Sequence, residues 1–379
     1  MIKDYDMICF SFSDWEKEMV SNRYHILTRF ARNNRVFLFE RTITFEKYDR
    51  HRLKYLLKPI RKKDGLYIIA LPDSPGEITT QKNYRFYLSL IYSSFSVQNP
   101  IFWFYNYQLA YLIDEYKHTL SCYHCTEDYP HIAQLNSSDP QEFSKIEKME
   151  KDFVKKNQLV FAVSESIKKR LNRYDKNIFL TTNACDYDLY RLGRGRPKRN
   201  FGSNPVLGYC GNLSIKVNFQ LLYNLAKEMR NCNLILAGPL IYSDEYVTKL
   251  KKLPNVRFLG QLKIEEIPSL YREFDVCLLP YIQEDWFVKV AQPLKLYEYL
   301  ATGKPVISTK MDCLKQVRGL VYQSTTIDEF VDAVKVALKE KNSNLSRKRI
   351  FKAKQNTWEQ RFAFINQKME EFLQKNAQK

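Results

Sequence analysis

The feature that most constrains this chain is an alternation that runs, stops and starts again. Short apolar strands alternate with amphipathic helices through the first half: YDMICFSF (5–12), RVFLFER (35–41), LYIIALP (66–72), PIFWFYN (100–106), LSCYHC (120–125), LVFAVS (159–164) and IFLTTN (178–183). Helical patterns such as NRYHILTRFARN and SKIEKMEKDFVKKN lie between them. A Gly-, Pro- and Arg-rich stretch without periodicity, RLGRGRPKRNFGSNP (191–205), interrupts the pattern and reads as a linker. The pattern restarts with PVLGYCG (205–211), NLILAGP (233–239), VRFLG (256–260), DVCLLPY (275–281) and PVIST (305–309), and closes on long helical stretches. Strand–helix alternation predicts parallel sheets with helices on both faces. With 379 residues the chain exceeds what one core usually serves. The expected architecture is α/β, two doubly wound halves over 1–190 and 205–345 with a helical tail over 346–379. Ligands of such sheets bind beyond the carboxyl ends of the strands, so the expected site is a cleft between the halves.

A net charge of +18 points to an anionic partner: nucleic acid, a phospholipid surface or a phosphorylated substrate. No recognisable nucleic-acid motif gathers the basic residues, which argues against the first. The segment EKYDRHRLKYLLKPIRKK (46–63) does concentrate them, interleaved with Leu53, Tyr55, Leu56, Leu57 and Ile60. It reads as a basic amphipathic helix for an anionic membrane surface, or as a solvated basic face. The N-terminus MIKDYDMICFSF carries Asp4 and Asp6 and no small-residue cleavage site, so a secretory signal is not expected from it. No uncharged apolar stretch is long enough for a span. The 8 cysteines fall mostly in strands, where a free thiol packs as a small apolar group, and are expected to be reduced in a cytoplasmic protein. CYHC (122–125) has no second ligand pair at matching spacing, so a zinc site is not expected.

The stretch QPLKLYEYLATGKPVIST (292–309) carries the most chemistry. Pro293 suits a first helical position, Leu294, Leu296, Tyr297, Leu300 and Ala301 supply an apolar face, and Gly303 and Pro305 stop the helix. Lys295 in the first turn is at the wrong end for the macrodipole, yet strengthens an anion site. Glu298 follows three residues on, near the same face. The pair is either an ordinary i,i+3 ion pair or a phosphate and sugar clamp. GYCGNLS (208–214) ends a strand at Gly211, where backbone can approach a phosphate or simply turn.

GYCGNLS, ILAGPL, LPNVRFLGQL, IPSLYREFDVCLLPY and PLKLYEYLATGKPVIST, in that order, resemble the GT-B glycosyltransferases of bacterial capsule, teichuronic-acid and other surface-polysaccharide synthesis. SFSDWEKEMVSNRYHILTRFARNNRVFLFER, CYHCTEDYPHI, VFAVSESIKKRL and TTNACDYDLY extend the resemblance over most of the chain, and 253–309 is its specific part. The resemblance implies a nucleotide-sugar, UDP-linked, on the C-terminal half, an oligosaccharide acceptor that is polyprenyl-diphosphate-linked, no metal and no other cofactor, and the last helix, with Trp358, crossing back to the first half. It places the protein on the cytoplasmic face of the membrane.

Lys295 and the helix start at Pro293 and Leu294 would hold the diphosphate, and Glu298 the ribose hydroxyls. Gly211, Asn212, Gly238, Pro239 and Gln261 would line the nucleotide pocket. Lys289 lies in EDWFVKVAQ (284–292), at the donor sugar. Val290 departs from the pattern: many retaining members carry there the first of two glutamates, with Glu298 the second. An inverting transfer needs a base. Asp128 is the first candidate and His131 the second, in a cluster with Glu127; Asp128 also suits a helix cap. Trp15, Arg23 and His25 after the first strand would touch sugar or diphosphate, or else start a packed helix. DYD (186–188) reads as a loop cap, not a metal motif. A sugar-nucleotide 2-epimerase of the same fold and a nucleic-acid-binding protein are the alternatives.

Overall fold

The computed structural model describes residues 2–11, 15, 21–40, 60–63, 65–72, 77–135, 137–175 and 177–377. Two compact units divide the chain: Met1–Thr182 with Phe362–Lys379, and Asn183–Arg361.

The first unit contains, in order, β1 (Asp6–Phe10), α1 (Asn22–Phe30), β2 (Arg35–Phe39), β3 (Ile60–Lys63), β4 (Leu66–Ile69), α2 (Glu77–Ser94), β5 (Ile101–Phe104), α3 (Tyr111–Glu115), β6 (Leu120–Cys125), α4 (Tyr129–Leu135), α5 (Glu142–Lys156), β7 (Leu159–Ala162), α6 (Glu165–Leu171) and β8 (Ile178–Leu180). Its sheet runs β3-β4-β2-β1-β5-β6-β7-β8. Every pairing is parallel except the β3–β4 edge hairpin. The central strands are apolar throughout because both faces are covered. Aromatic side chains fill the layers. Phe10 stacks on Phe39 at 5.2 Å and Phe104 at 4.8 Å, and Trp103 stacks on Phe161 at 5.5 Å.

The second unit contains α7 (Tyr187–Tyr190), β9 (Val206–Cys210), α8 (Phe219–Glu228), β10 (Asn233–Ala237), α9 (Glu245–Lys251), β11 (Val256–Gly260), α10 (Ile267–Glu273), β12 (Val276–Leu279), α11 (Asp285–Val290), α12 (Lys295–Thr302), β13 (Val306–Thr309), β14 (Tyr322–Ser324), α13 (Ile327–Leu338) and α14 (Ser343–Lys354). Its wholly parallel sheet is ordered β11-β10-β9-β12-β13-β14. Relabelled in chain order this is 3-2-1-4-5-6, the nucleotide-binding winding whose crevice opens at the carboxyl ends of the first and fourth strands, here β9 and β12.

Three expectations need correction. Of the basic segment 46–63, Ile60–Lys63 is a strand pairing with Leu66–Ile69 and not part of a helix, because local hairpin pairing wins. Residues 46–59 lie outside the described residues. The stretch 191–205 is not where the units part: the division falls at Thr182/Asn183. Arg194 Nε donates to the Ala301 carbonyl at 2.9 Å, and buried Glu273 accepts the Lys198 and Asn200 N–H groups at 3.0 and 2.9 Å. Polar backbone contacts hold this segment, so no hydrophobic period marks it. The tail also divides later than 346. Helix α14 packs on α12 within the second unit. The chain breaks at Gln355–Thr357, where Asn356 O accepts the Cys185 N–H at 3.1 Å, before α15 (Trp358–Ala377) begins. From Phe362 onward α15 belongs to the first unit, and Phe362 meets Phe30 of α1 edge-on at 4.9 Å.

Candidate functional site

In the second unit, several expected residues meet at the carboxyl end of β9. Gly211 follows this strand directly. A Cβ placed there would stand 1.8 Å from Lys295 Cε and 2.5 Å from Nζ, so the lysine side chain lies directly across the glycine. Gly238, just past β10, has φ +125°, and a Cβ there would fall 2.1 Å from the Gly211 carbonyl. The two glycines thus bring two loops and one ammonium group together with no side chain intervening. Pro239 O accepts the Leu213 N–H at 2.9 Å, and Asn212 O accepts the Tyr209 hydroxyl at 3.1 Å, so these two shape the loops through their carbonyls.

The helix itself starts slightly later than expected. Leu294 is the cap residue and Pro293 precedes it, its carbonyl accepting the Leu296 N–H at 3.2 Å. Asn183 Nδ2 donates to the Gln292 carbonyl at 2.6 Å, fixing the chain just ahead of that start. Glu298 lies one turn further on, 8 % exposed. Its Oε2 accepts the Tyr271 hydroxyl at 2.6 Å. Burial raises the Glu298 carboxyl above its ordinary range, while Lys295 and the Tyr271 and Tyr190 hydroxyls pull it back. Two other expected donor residues lie on the surface of this unit. Lys289 pairs with Asp285 at 2.6 Å along α11, and Gln261 is exposed past the edge strand β11. Val290 is buried.

In the first unit, Asp128 directly precedes α4 and is 3 % exposed. The helix begins there because the Asp128 carbonyl accepts the Ile132 N–H at 3.0 Å. The carboxylate serves other partners: Oδ2 meets His131 Nδ1 at 2.8 Å and Oδ1 faces Arg170 Nη2 at 3.5 Å. Arg170 in turn pairs with Glu150, which is fully buried and also accepts the Tyr123 hydroxyl at 2.8 Å. The His131 ring is half-exposed and packs edge-on against Phe143 at 4.8 Å. Glu127 is half-buried beside this pair. Around α1 the expected residues are packed. The Trp15 N–H donates to Glu40 at 3.0 Å and its ring lies 5.4 Å from Tyr24, while the Arg23 guanidinium sits 5.5 Å over the Tyr105 ring. His25 is 3 % exposed, and burial, then Arg29, hold its pKa well below the ordinary value. It fills the core beneath α1, in keeping with a packed helix start.

The sequence model of the family "Glycosyl transferases group 1" matches residues 204–340. These residues are a glycosyl transferases group 1 domain. The site around Lys295 lies inside this group 1 domain. A Bacillus subtilis (strain 168) protein, TuaH, named for a teichuronic acid biosynthesis glycosyltransferase, is 27 % identical over 175 residues. That match covers 45 % of this chain and 44 % of the relative, so the chain spans less than half of the relative's length. Among solved structures, a sucrose-phosphate synthase from Thermosynechococcus elongatus superposes with TM-score 0.74 at 13 % identity, over 97 % of this chain and 99 % of the other. Anabaena HepE does so with TM-score 0.70 at 13 % identity, over 96 % and 99 %. The fold is GT-B.

No local signal marks Tyr190 and Tyr271, the neighbours of Glu298 in the second unit, or Arg170 and Glu150 behind Asp128. Tyr190 ends TTNACDYDLY and Tyr271 sits in IPSLYREF, but only folding brings their hydroxyls toward one carboxylate. Asp186 does cap a helix, its Oδ1 accepting the Leu189 N–H at 3.4 Å, as DYD suggested.

Proposed function

We propose that the chain transfers a sugar from a nucleotide-sugar to a saccharide acceptor, with the donor held by the group 1 domain and the acceptor by the first unit. Lys295 laid across Gly211 at the end of β9, beside Gly238 and Glu298, is the observation that carries this reading. Bare backbone at two glycines admits phosphate oxygens, and the ammonium offsets the charge that builds on the departing diphosphate. Lys295 supplies that positive charge, so the reaction we propose is metal-independent. Glu298 takes the ribose hydroxyls. UDP is the first nucleotide to test, because the HepE structure was solved with UDP and glucose. For the acceptor we propose a lipid-linked saccharide of cell-surface polysaccharide synthesis, met at the cytoplasmic face of the membrane. The net charge of +18 and the relative named for teichuronic acid biosynthesis support it. No helix among the described residues is long and apolar enough to cross a membrane.

Thermal shift against UDP, GDP, ADP and dTDP tests the donor half. A nucleotide at about a hundred times its Kd should stabilise the protein by about 2.7 kcal/mol. Free nucleotide released only when a saccharide acceptor is added would then mark a transferase. Turnover of the sugar-nucleotide with no acceptor would mark an epimerase, and no stabilisation by any nucleotide would remove both.

On the acceptor side we propose that His131, and not the buried Asp128, takes the hydroxyl proton, with Asp128 orienting the ring through Nδ1. His131→Ala should lower kcat by roughly 10²–10⁴-fold with the donor KM unchanged. Steady-state kinetics decide it; a variant turning over at the wild-type rate removes His131 as the base.

A further inference from the structure

The carboxylate of Glu298 is held from behind by a fixed hydroxyl. Tyr271 of α10 is 1 % exposed. Its ring stacks on Tyr190 at 5.6 Å and 25°, meets Tyr299 edge-on at 5.0 Å and lies 5.7 Å from Phe274. Three aromatic neighbours leave the ring no room to turn away, so the 2.6 Å bond to Glu298 Oε2 is set by packing. An ionised carboxylate has about four acceptor positions, and the tyrosines occupy only part of them. We infer that Tyr271, with Tyr190 stacked on it, is a positioning residue for nucleotide binding: its hydroxyl aims the Glu298 carboxylate so that the remaining lone pairs meet the ribose hydroxyls of a nucleoside diphosphate. The inference rests on the donor-site reading above and adds to it the group that keeps Glu298 an acceptor.

The surroundings make this testable by pH. Facing Glu298 are Lys295 from α12 itself, Tyr271 from α10, Tyr190 from α7, Tyr281 past β12, and the thiols of Cys210 and Cys185. Burial pushes each of these hydroxyls and thiols upward, Cys210 to about 12, so they stay neutral while Glu298 titrates. Glu298 is itself raised by burial. Removing a donor to its ionised form raises it further. The ionised form is the one that accepts ribose hydroxyls, so affinity falls as pH drops through the Glu298 pKa, and the tyrosine hydroxyl sets where that fall begins.

The experiment is calorimetric titration of the full chain with the tightest binder among UDP, GDP, ADP and dTDP, from about pH 5.5 to 8.5. The diphosphate's own titration is common to all variants and cancels in the comparison. For Tyr271→Phe, which keeps the ring and its packing, the acid limb should move up by about one pH unit. The loss should be about tenfold at the acidic end and less than about twofold at the alkaline end. Tyr190→Phe should shift the limb in the same direction by less. Glu298→Gln should weaken binding at every pH and abolish the difference that Tyr271→Phe makes. A Tyr271→Phe limb that coincides with wild type, or a loss uniform across pH, overturns the inference while leaving the donor site standing. Wild-type affinity in Glu298→Gln at every pH overturns the role given to Glu298 in the donor site itself.

Discussion

Lys295→Ala is expected to lower kcat/KM for the nucleotide-sugar by about 10²-fold while leaving the fold intact. The side chain is half-buried and lies across Gly211. Its loss removes the positive charge laid over the proposed diphosphate position, and removing one group that stabilises charge in a transition state typically costs this much. The buried Glu298 loses the ammonium but keeps the Tyr271 and Tyr190 hydroxyls, so melting should fall only slightly. Gly211→Ala gives an independent check. Its methyl would occupy the space of Lys295 Cε at 1.8 Å, and the flexible lysine would be displaced instead of the backbone. The same kinetic defect should therefore appear with Lys295 still present. Donor kinetics with melting curves for both variants decide the matter. If both keep wild-type kcat/KM, the leaving group is not at this strand end and the functional reading fails with it.

Arg349→Ala should have the largest effect on stability. Arg349 of α14 is fully buried, and its guanidinium meets both oxygens of Glu340 at 2.5 and 2.8 Å. Its Nε donates to the Leu320 carbonyl at 2.8 Å, and the Tyr322 hydroxyl donates to Glu340 at 2.8 Å. Truncating one partner strands the other charge with little water nearby, which costs about 3–5 kcal/mol. For a unit of this size, that is a fall of roughly 10 °C in Tm. Replacing both partners, as Arg349→Met with Glu340→Leu, should cost much less, because no orphan charge remains. Calorimetry of the single and double variants separates a pair needed for its charge from one that merely fills space. Equal melting of the Arg349→Ala variant and wild type would sink the argument.

The two parallel sheets were legible because strands covered on both faces must be uninterrupted apolar runs, and VCLL, IFWF and LYII are such runs. The two strands that left no readable pattern both lie at sheet edges. Ile60–Lys63 is mostly basic, and Tyr322–Ser324 is three residues long, too short for any period. The cluster of Lys295, Glu298 and Gly211 was legible for a different reason: a cation at the wrong end of a helix and a glycine at a strand end are local oddities. For Lys289 and Gln261, position along the chain says nothing of the direction in which the side chain points, which is set only when its element has packed.

What the sequence determined by itself is therefore whatever is encoded within a turn or a strand: element type, burial period, the helix stop at Gly303, and an anion-attracting helix start. Only tertiary structure decided which partners those residues acquire. It placed Tyr271 against Glu298 across 27 positions, and Arg170 behind Asp128 on another helix. Hydrogen bonds and charge act over a few ångströms of space, and the chain brings distant positions that close only after its sheets have wound.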